Sequence, residues 1–320
     1  MSAPPTLADV EAAAGRIAGQ VHRTPLFSSA AIGSASGCEL RLKAECLQRA
    51  GAFKIRGALS RVLAMTQAER ARGLVAFSSG NHAQAVALAA RIVGTTATIA
   101  MPEDSMPHKI EATRAYGAEV VQRGVTTATR DSVAREIAER TGATVIPPFD
   151  DFLVVAGQGT VGLEIVLDWP EVETIVVPTG GGGLLAGVAL AATSRNPNVR
   201  VYGVEPEAGD DARRSLGEGR IVSLDRPPRT IADGARTLAI GEIPFAIIRQ
   251  RVLGIVTVSD DALLHAMKVL ALSCKLVVEP TGALAVAALI EGKIPKAGRT
   301  VAVLSGGNVA PEVLTRALAS

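Results

Sequence analysis

The sequence predicts an α/β protein with two open, twisted, mainly parallel sheets flanked by helices. Three observations carry that expectation. Short apolar runs alternate with helical patterns, and the connections are brief and rich in Gly, Pro, Asp and Ser. The 320 residues, 48% of them hydrophobic, are enough to divide a core between two domains.

Met1 to Gln20 is alanine-rich with interspersed acids, a helical pattern that lacks the basic start and apolar centre of a signal peptide. Residues 50–58 place Lys54 in an apolar setting between Gly51 and Gly57. Strand-like runs follow at 74–77, 97–100 and 119–121, with helical patterns at 81–92 and 131–141. The pattern breaks at Pro147-Pro148 and restarts near Val154, with no long linker. This gives a small domain, 66–149, inserted in a large cofactor-binding domain formed by 1–65 and 150–320. Further strands are expected at 174–177, 201–204 and 300–304, and a further helix at 260–273.

Composition excludes several classes of function. The net charge of +2 arises from 33 basic and 31 acidic residues without long runs, so no nucleic-acid or membrane surface is expected. The apolar runs at 85–90 and 184–192 are too short to span a bilayer. Cys38, Cys46 and Cys274 lack metal-type spacing and are odd in number, which favours a reducing, cytoplasmic location. A small-molecule ligand remains.

Four segments carry chemistry. Desolvation of Lys54 would disfavour its ammonium form and supply a free amine able to form a Schiff base, although locally it also reads as a surface lysine at a helix start. Gly180, Gly181, Gly182 and Gly183 follow a strand and open a helix, where converging amides suit a phosphate. They match neither the spaced glycines of a dinucleotide loop nor a P-loop with its Lys and Ser/Thr. Ser78, Ser79, Asn81 and His82 form a polar cluster at another strand end, beyond what an N-cap needs; His82 alone reads as structural. Ser305 opens a third polar loop, Ser305-Gly306-Gly307-Asn308, which reads equally as a strand-end turn.

With these four loops in order from Thr24 to Asn308, the chain resembles the fold-type II pyridoxal-phosphate enzymes of the serine/threonine dehydratase and serine racemase family. The resemblance implies that Lys54 holds pyridoxal 5'-phosphate as a Schiff base, that Phe53 packs beside it and that Asn81 bonds the ring 3-hydroxyl. It also implies phosphate binding by Gly180 to Gly183 and a neutral partner, Ser305, for the ring nitrogen. Ser78, Ser79 and His82 would surround an amino-acid carboxylate. Lys54 would take the α-proton, a β-hydroxyl would leave as water, and a 2-oxo acid and ammonia would result. A homodimer is expected on the same ground.

Ser79 complicates this assignment, because many family dehydratases carry alanine there while racemases use a serine as the acid/base opposite the lysine. Racemisation is therefore the alternative activity. A non-catalytic ligand-binding α/β protein is the third reading, and it would have no use for Lys54. From spacing, Glu205 to Asp211 reads as a solvated turn with helix N-terminal acids. Resemblance to the metal-activated racemase branch instead implies Mg²⁺ or Ca²⁺ held by Glu205, Asp211 and the Gly209 carbonyl. Ala52, the 148–151 segment and Arg229 to Arg236 are where substrate selectivity is expected; Arg229 or Arg236 could pair with a second substrate carboxylate, although both read first as solvated arginines.

Overall fold

A computed structural model describes residues 3–295 and 298–320. The first half of the chain comprises α1 (Leu7–Ile17), β1 (Leu26–Ser28), α2 (Ala30–Ser36), β2 (Glu39–Lys43), α3 (Lys54–Leu63), α4 (Gln67–Ala71), β3 (Leu74–Phe77) and α5 (Asn81–Val93). It continues through β4 (Ala97–Ala100), α6 (Pro107–Ala115), β5 (Glu119–Val121), α7 (Arg130–Thr141) and β6 (Thr144–Val145). The second half runs α8 (Phe152–Asp168), β7 (Thr174–Pro178), α9 (Gly183–Arg195), β8 (Arg200–Pro206), α10 (Asp211–Glu218), α11 (Glu242–Arg251) and β9 (Gly254–Val258). It closes with α12 (Asp260–Cys274), α13 (Pro280–Ile290), β10 (Arg299–Val303) and α14 (Pro311–Ala319).

Two sheets organise these elements. The larger has the strand order β1-β2-β10-β7-β8-β9 and is parallel except for β1, which pairs antiparallel with β2. The smaller, β5-β4-β3-β6, is parallel throughout. The chain leaves the larger sheet after β2, builds the smaller one and returns at β7. Helices cover both faces, so the central strands read as unbroken apolar runs. In β7, Ile175 and Val177 enter one core cluster while Val176 enters the cluster on the opposite face. β3 divides in the same way: Leu74 and Ala76 face one cluster and Val75 the other.

One strand is longer than its sequence suggests. β8 runs on through Glu205 and Pro206 because β9 pairs with it there, Glu205 opposite Thr257 and Pro206 opposite Val258. Glu205 is thus a strand residue rather than part of the following turn.

Packing around α3 decides where Lys54 goes. Gly157 lets α8 approach closely, since a Cβ there would stand 2.6 Å from Arg56 O and 2.7 Å from the Gly57 Cα. The buried Gln158 of α8 accepts from the Gly57 amide at 3.1 Å, satisfying a donor near the start of α3. Below the helix lies a buried charge cluster. Arg56 donates to Glu45 and Glu164 at 2.7 Å each, and Lys43 donates to Glu164 at 2.5 Å. Burial alone would raise the Glu45 carboxyl, but Arg56, with Lys43 and Thr24, overrides it and holds the group below the ordinary glutamate range.

Candidate active site

A cavity of about 770 Å³ opens where the C-terminal ends of β3, β7 and β10 meet the first turn of α3. Ligands of open α/β sheets bind at such strand ends. The cavity wall includes Lys54, Ser78, Ser79, Asn81, His82 and Ser305, and Gly180 to Gly183 and Phe53 line it as well. The four loops singled out in the sequence therefore share one enclosure.

Lys54 is the first residue of α3, and its Nζ donates to Pro148 O at 2.7 Å and lies 5.2 Å from the Phe53 ring centre. Burial, reinforced by the Arg130 charge and opposed by Glu279, lowers its pKa to about 8. The helix N-terminus adds a dipole that disfavours a cation at that position.

The glycine loop needs its glycines. Gly182 has φ of 85°, in the left-handed region, and a Cβ on Gly181 would overlap the Phe149 ring. The carbonyls of Gly181 and Gly182 accept from the amides of Gly241 and Ala186. The amides of Gly182 and Gly183 consequently point away from those partners, at the mouth of the 13-residue helix α9. This geometry suits an anion.

On the β3 side, the Ser78 hydroxyl accepts from the Gly80 amide at 3.1 Å, and Ser79 stands beside it before α5 begins at Asn81. His82 is buried with Nε2 at 2.8 Å from Ile146 O. A carbonyl only accepts, so the proton sits on Nε2 and Nδ1 carries a lone pair with no partner. Burial, with the Lys54 charge adding to it, lowers the ring to about 3. His82 is therefore neutral here and offers an acceptor, not a cation. Ser305 is buried, and its carbonyl accepts from the Phe53 amide at 3.1 Å, which ties the β10 loop to the start of α3.

Several cavity residues were not legible in the sequence. Glu279 is buried with Oε1 at 2.5 Å from Asn81 Nδ2 and Oε2 without a partner. Burial pushes its carboxyl up to about 7, with Asp233 acting in the same direction and Lys109 and Asn81 against it. Lys109 of α6 forms an ion pair with Asp233. Arg130, the first residue of α7, lines the cavity, and its guanidinium makes no hydrogen bond or ion pair among the described residues. Burial holds its guanidinium below the ordinary range, with Asp104 and Asp131 opposing. Arg229 and Arg236 also reach the cavity wall, but both are exposed, and Arg236 spends Nε and Nη2 on Thr230 O at 3.0 and 2.6 Å. Nothing local in the sequence marks Arg130 as the better placed cation.

Glu205, Gly209 and Asp211 lie apart from this cavity lining. Glu205 accepts from the amides of Ala212 and Arg213 at 3.1 and 2.8 Å. Burial and then the Asp211 charge raise its carboxyl well above the ordinary range. Asp211 is buried, and neither of its oxygens makes a well-formed hydrogen bond. Burial raises it to about 7, which its own amide and that of Ile240 offset only in part. No group of three or more His, Cys, Asp or Glu side chains among the described residues is placed to hold a metal. No helix among them is long and apolar enough to cross a membrane.

The family profile described as "Pyridoxal-phosphate dependent enzyme" matches residues 17–306. The L-threo-3-hydroxyaspartate ammonia-lyase of Saccharomyces cerevisiae is 45% identical over 306 residues, covering 95% of this chain and 94% of that protein. A serine racemase of Schizosaccharomyces pombe is 44% identical over 306 residues, with the same coverage of 95% and 94%. The solved structure of maize serine racemase superposes with a TM-score of 0.94 at 38% identity, covering 99% of this chain and 98% of that one.

Proposed function

The chain belongs to the pyridoxal-phosphate dependent enzyme family, and from that premise we propose an ammonia-lyase that eliminates water from a small β-hydroxy amino acid. Threonine, serine and 3-hydroxyaspartate are the candidate substrates, giving a 2-oxo acid and ammonia. One observation carries the reading: a desolvated lysine shares an enclosure with an anion-binding glycine loop. The residues fit the cofactor, since the loop leaves amides directed away from protein partners, Phe149 takes the space a side chain on Gly181 would need, and Lys54 titrates low enough to react.

When bound, pyridoxal phosphate supplies a carbonyl that captures the substrate amine and a conjugated ring that accepts the electron pair left at Cα. Lys54 Nζ would hold the cofactor and would serve as the base for the substrate Cα proton. The amides of Gly180 to Gly183 and the start of α9 would hold the phosphate. Asn81 would donate to the ring hydroxyl oxygen, the Ser305 hydroxyl would serve the ring nitrogen, and Phe53 would pack beside the cofactor. Ser78, Ser79 and the first amides of α5 hold the substrate carboxylate. His82, neutral and bound to Ile146, supports that turn and presents a lone pair. The unpartnered Arg130 is the cation for a second carboxylate, which would favour 3-hydroxyaspartate.

The test is 2-oxo acid formation from L-serine, L-threonine and the 3-hydroxyaspartate diastereomers. Arg130→Met is expected to raise KM for hydroxyaspartate about tenfold or more and to leave serine nearly unchanged. No 2-oxo acid from any of the four would overturn the reading. Ser79 favours a second reading, racemisation, because it puts another proton-carrying group in the same cavity. Chiral analysis of serine after incubation separates the two activities.

Mg²⁺ or Ca²⁺ would be held by Glu205, Asp211 and the Gly209 carbonyl, a reading supported by the two unsatisfied Asp211 oxygens near a second buried carboxylate. Its role there is to neutralise the pair and hold the β8 to α10 turn. A rise in Tm with Mg²⁺ that Asp211→Asn abolishes is the expected result. The same reading carries a homodimer in a reducing compartment, the former checked by sedimentation.

A further inference from the structure

Asn81 is held by a chain of hydrogen bonds through three loops. Asn308 Nδ2 donates to Ala50 O at 2.8 Å and to Asn81 Oδ1 at 3.0 Å. Ala50 O is a backbone carbonyl and only accepts, so the Asn308 nitrogen is fixed on that side. The Asn81 atom facing it must then be the oxygen. Asn81 Nδ2 is thereby turned to Glu279 Oε1, at 2.5 Å. An amide nitrogen carries two hydrogens, and this contact uses one. The other is left for the cavity that Asn81 lines.

Glu279 stands at the N-cap position of α13, yet its side chain makes no capping bond. It reaches Asn81 instead, with its own amide anchored to Gly306 O at 3.1 Å. A Cβ on Gly306 would overlap Glu279 Oε1 and stand 3.0 Å from Asn81 Nδ2, so the pair passes only because glycine lies there. The far end of the chain is equally constrained: Ala50 has φ of 58°, a conformation non-glycine residues rarely adopt, and Asn308 holds its carbonyl. A carboxylate buried at this cost, and given no part in the elimination above, is accounted for by what it holds.

We propose that Glu279 is a positioning residue for the cofactor, fixing with Asn308 the amide of Asn81 so that its second N–H faces the ring hydroxyl oxygen of pyridoxal phosphate. This rests on reading the cavity as the cofactor site. Turned over, the Asn81 amide would set oxygen against oxygen, so its orientation matters as much as its presence.

The experiment is a double-mutant cycle on the full chain reconstituted with pyridoxal phosphate, reading cofactor dissociation constant and visible absorption maximum. Asn81→Ala and Glu279→Leu are each expected to weaken cofactor binding about tenfold and to shift the band alike. The double variant is expected to bind no more weakly than Asn81→Ala alone, because Glu279 acts only through Asn81. Glu279→Gln, whose amide oxygen still accepts from Asn81, is expected to bind within about twofold of the parent. Wild-type binding by Glu279→Leu, or losses that multiply in the double variant, would overturn the proposal. A parent chain that takes up no cofactor would instead overturn the functional reading beneath it. Far-UV circular dichroism confirms folding; if Glu279→Leu does not fold, Glu279→Thr, too short to reach Asn81, enters the same cycle with the same two outcomes.

Discussion

Lys54 and Arg56 stand two residues apart on the first turn of α3, and the helix sends them to opposite environments. Arg56 enters a cluster in which each buried charge meets its opposite: Glu45, Glu164 and Lys43 close the circuit. Lys54 enters a cavity where buried groups are left incomplete, among them Glu279 Oε2 and His82 Nδ1. The titration follows the pairing. Burial opposes charge in both places, but in the cluster Glu45 is held low and Arg56 high, each more firmly charged. In the cavity Lys54 is lowered and Glu279 raised, each moved toward neutrality. Completed pairs give rigidity; incomplete ones leave groups able to exchange protons near neutral pH.

Lys54→Ala is the largest test of this contrast. Turnover is expected to fall at least about 10³-fold, with loss of the visible band and of its borohydride sensitivity. The Tm is expected to hold or rise slightly, because the substitution removes a desolvated cation. Near-normal elimination by this variant would break the assignment. Arg56→Met is the complement: it leaves buried Glu45 without its ion-pair partner and Glu164 with Lys43 alone, and is expected to destabilise by about 3–5 kcal/mol, measured by urea unfolding. A loss no greater than that of Lys54→Ala would mean that pairing does not separate the two regions.

What the sequence disclosed follows from how each residue is embedded. Gly180 to Gly183, Ser78 to His82 and Ser305 lie at strand ends and Lys54 opens α3 between two glycines; in each place several unusual residues fall side by side, and local pattern reports the cavity lining. The alternating apolar runs reported the parallel sheets for the same reason. Glu279 is isolated, and Glu279-Pro280 reads locally as a helix start, which it is; only the fold reveals that the side chain leaves the cap for Asn81. Arg130 opens α7 in a polar segment, and its approach to the cavity depends on how the smaller sheet meets the larger. Arg56 lies within the Lys54 segment itself, but its partners are 11 and 108 residues away in the chain. Strand-end loops are local; pairing is not.

The smallest effect expected is a pair of opposite signatures in stability against pH. Glu45 has a folded-state pKa below its ordinary 4.5, so the unfolded chain binds the proton first as pH falls. The contribution of the cluster is therefore present above about pH 4.5 and is lost on acidification through the folded value. Lys54 in the apoprotein titrates at about 8 against an ordinary 10.5. Between those values the unfolded chain keeps a proton that the folded chain has released, so stability rises with pH across that window, as the cost of burying the cation disappears. Below about pH 8 the cost is fully present. Urea unfolding of the apoprotein across both windows measures the two slopes. Lys54→Met is expected to abolish the alkaline slope and keep the acid one, because the cluster on the other face of α3 is untouched. Loss of both slopes in that variant would mean the two faces of the helix titrate as one unit, and the separation of paired from unpaired charge would fail.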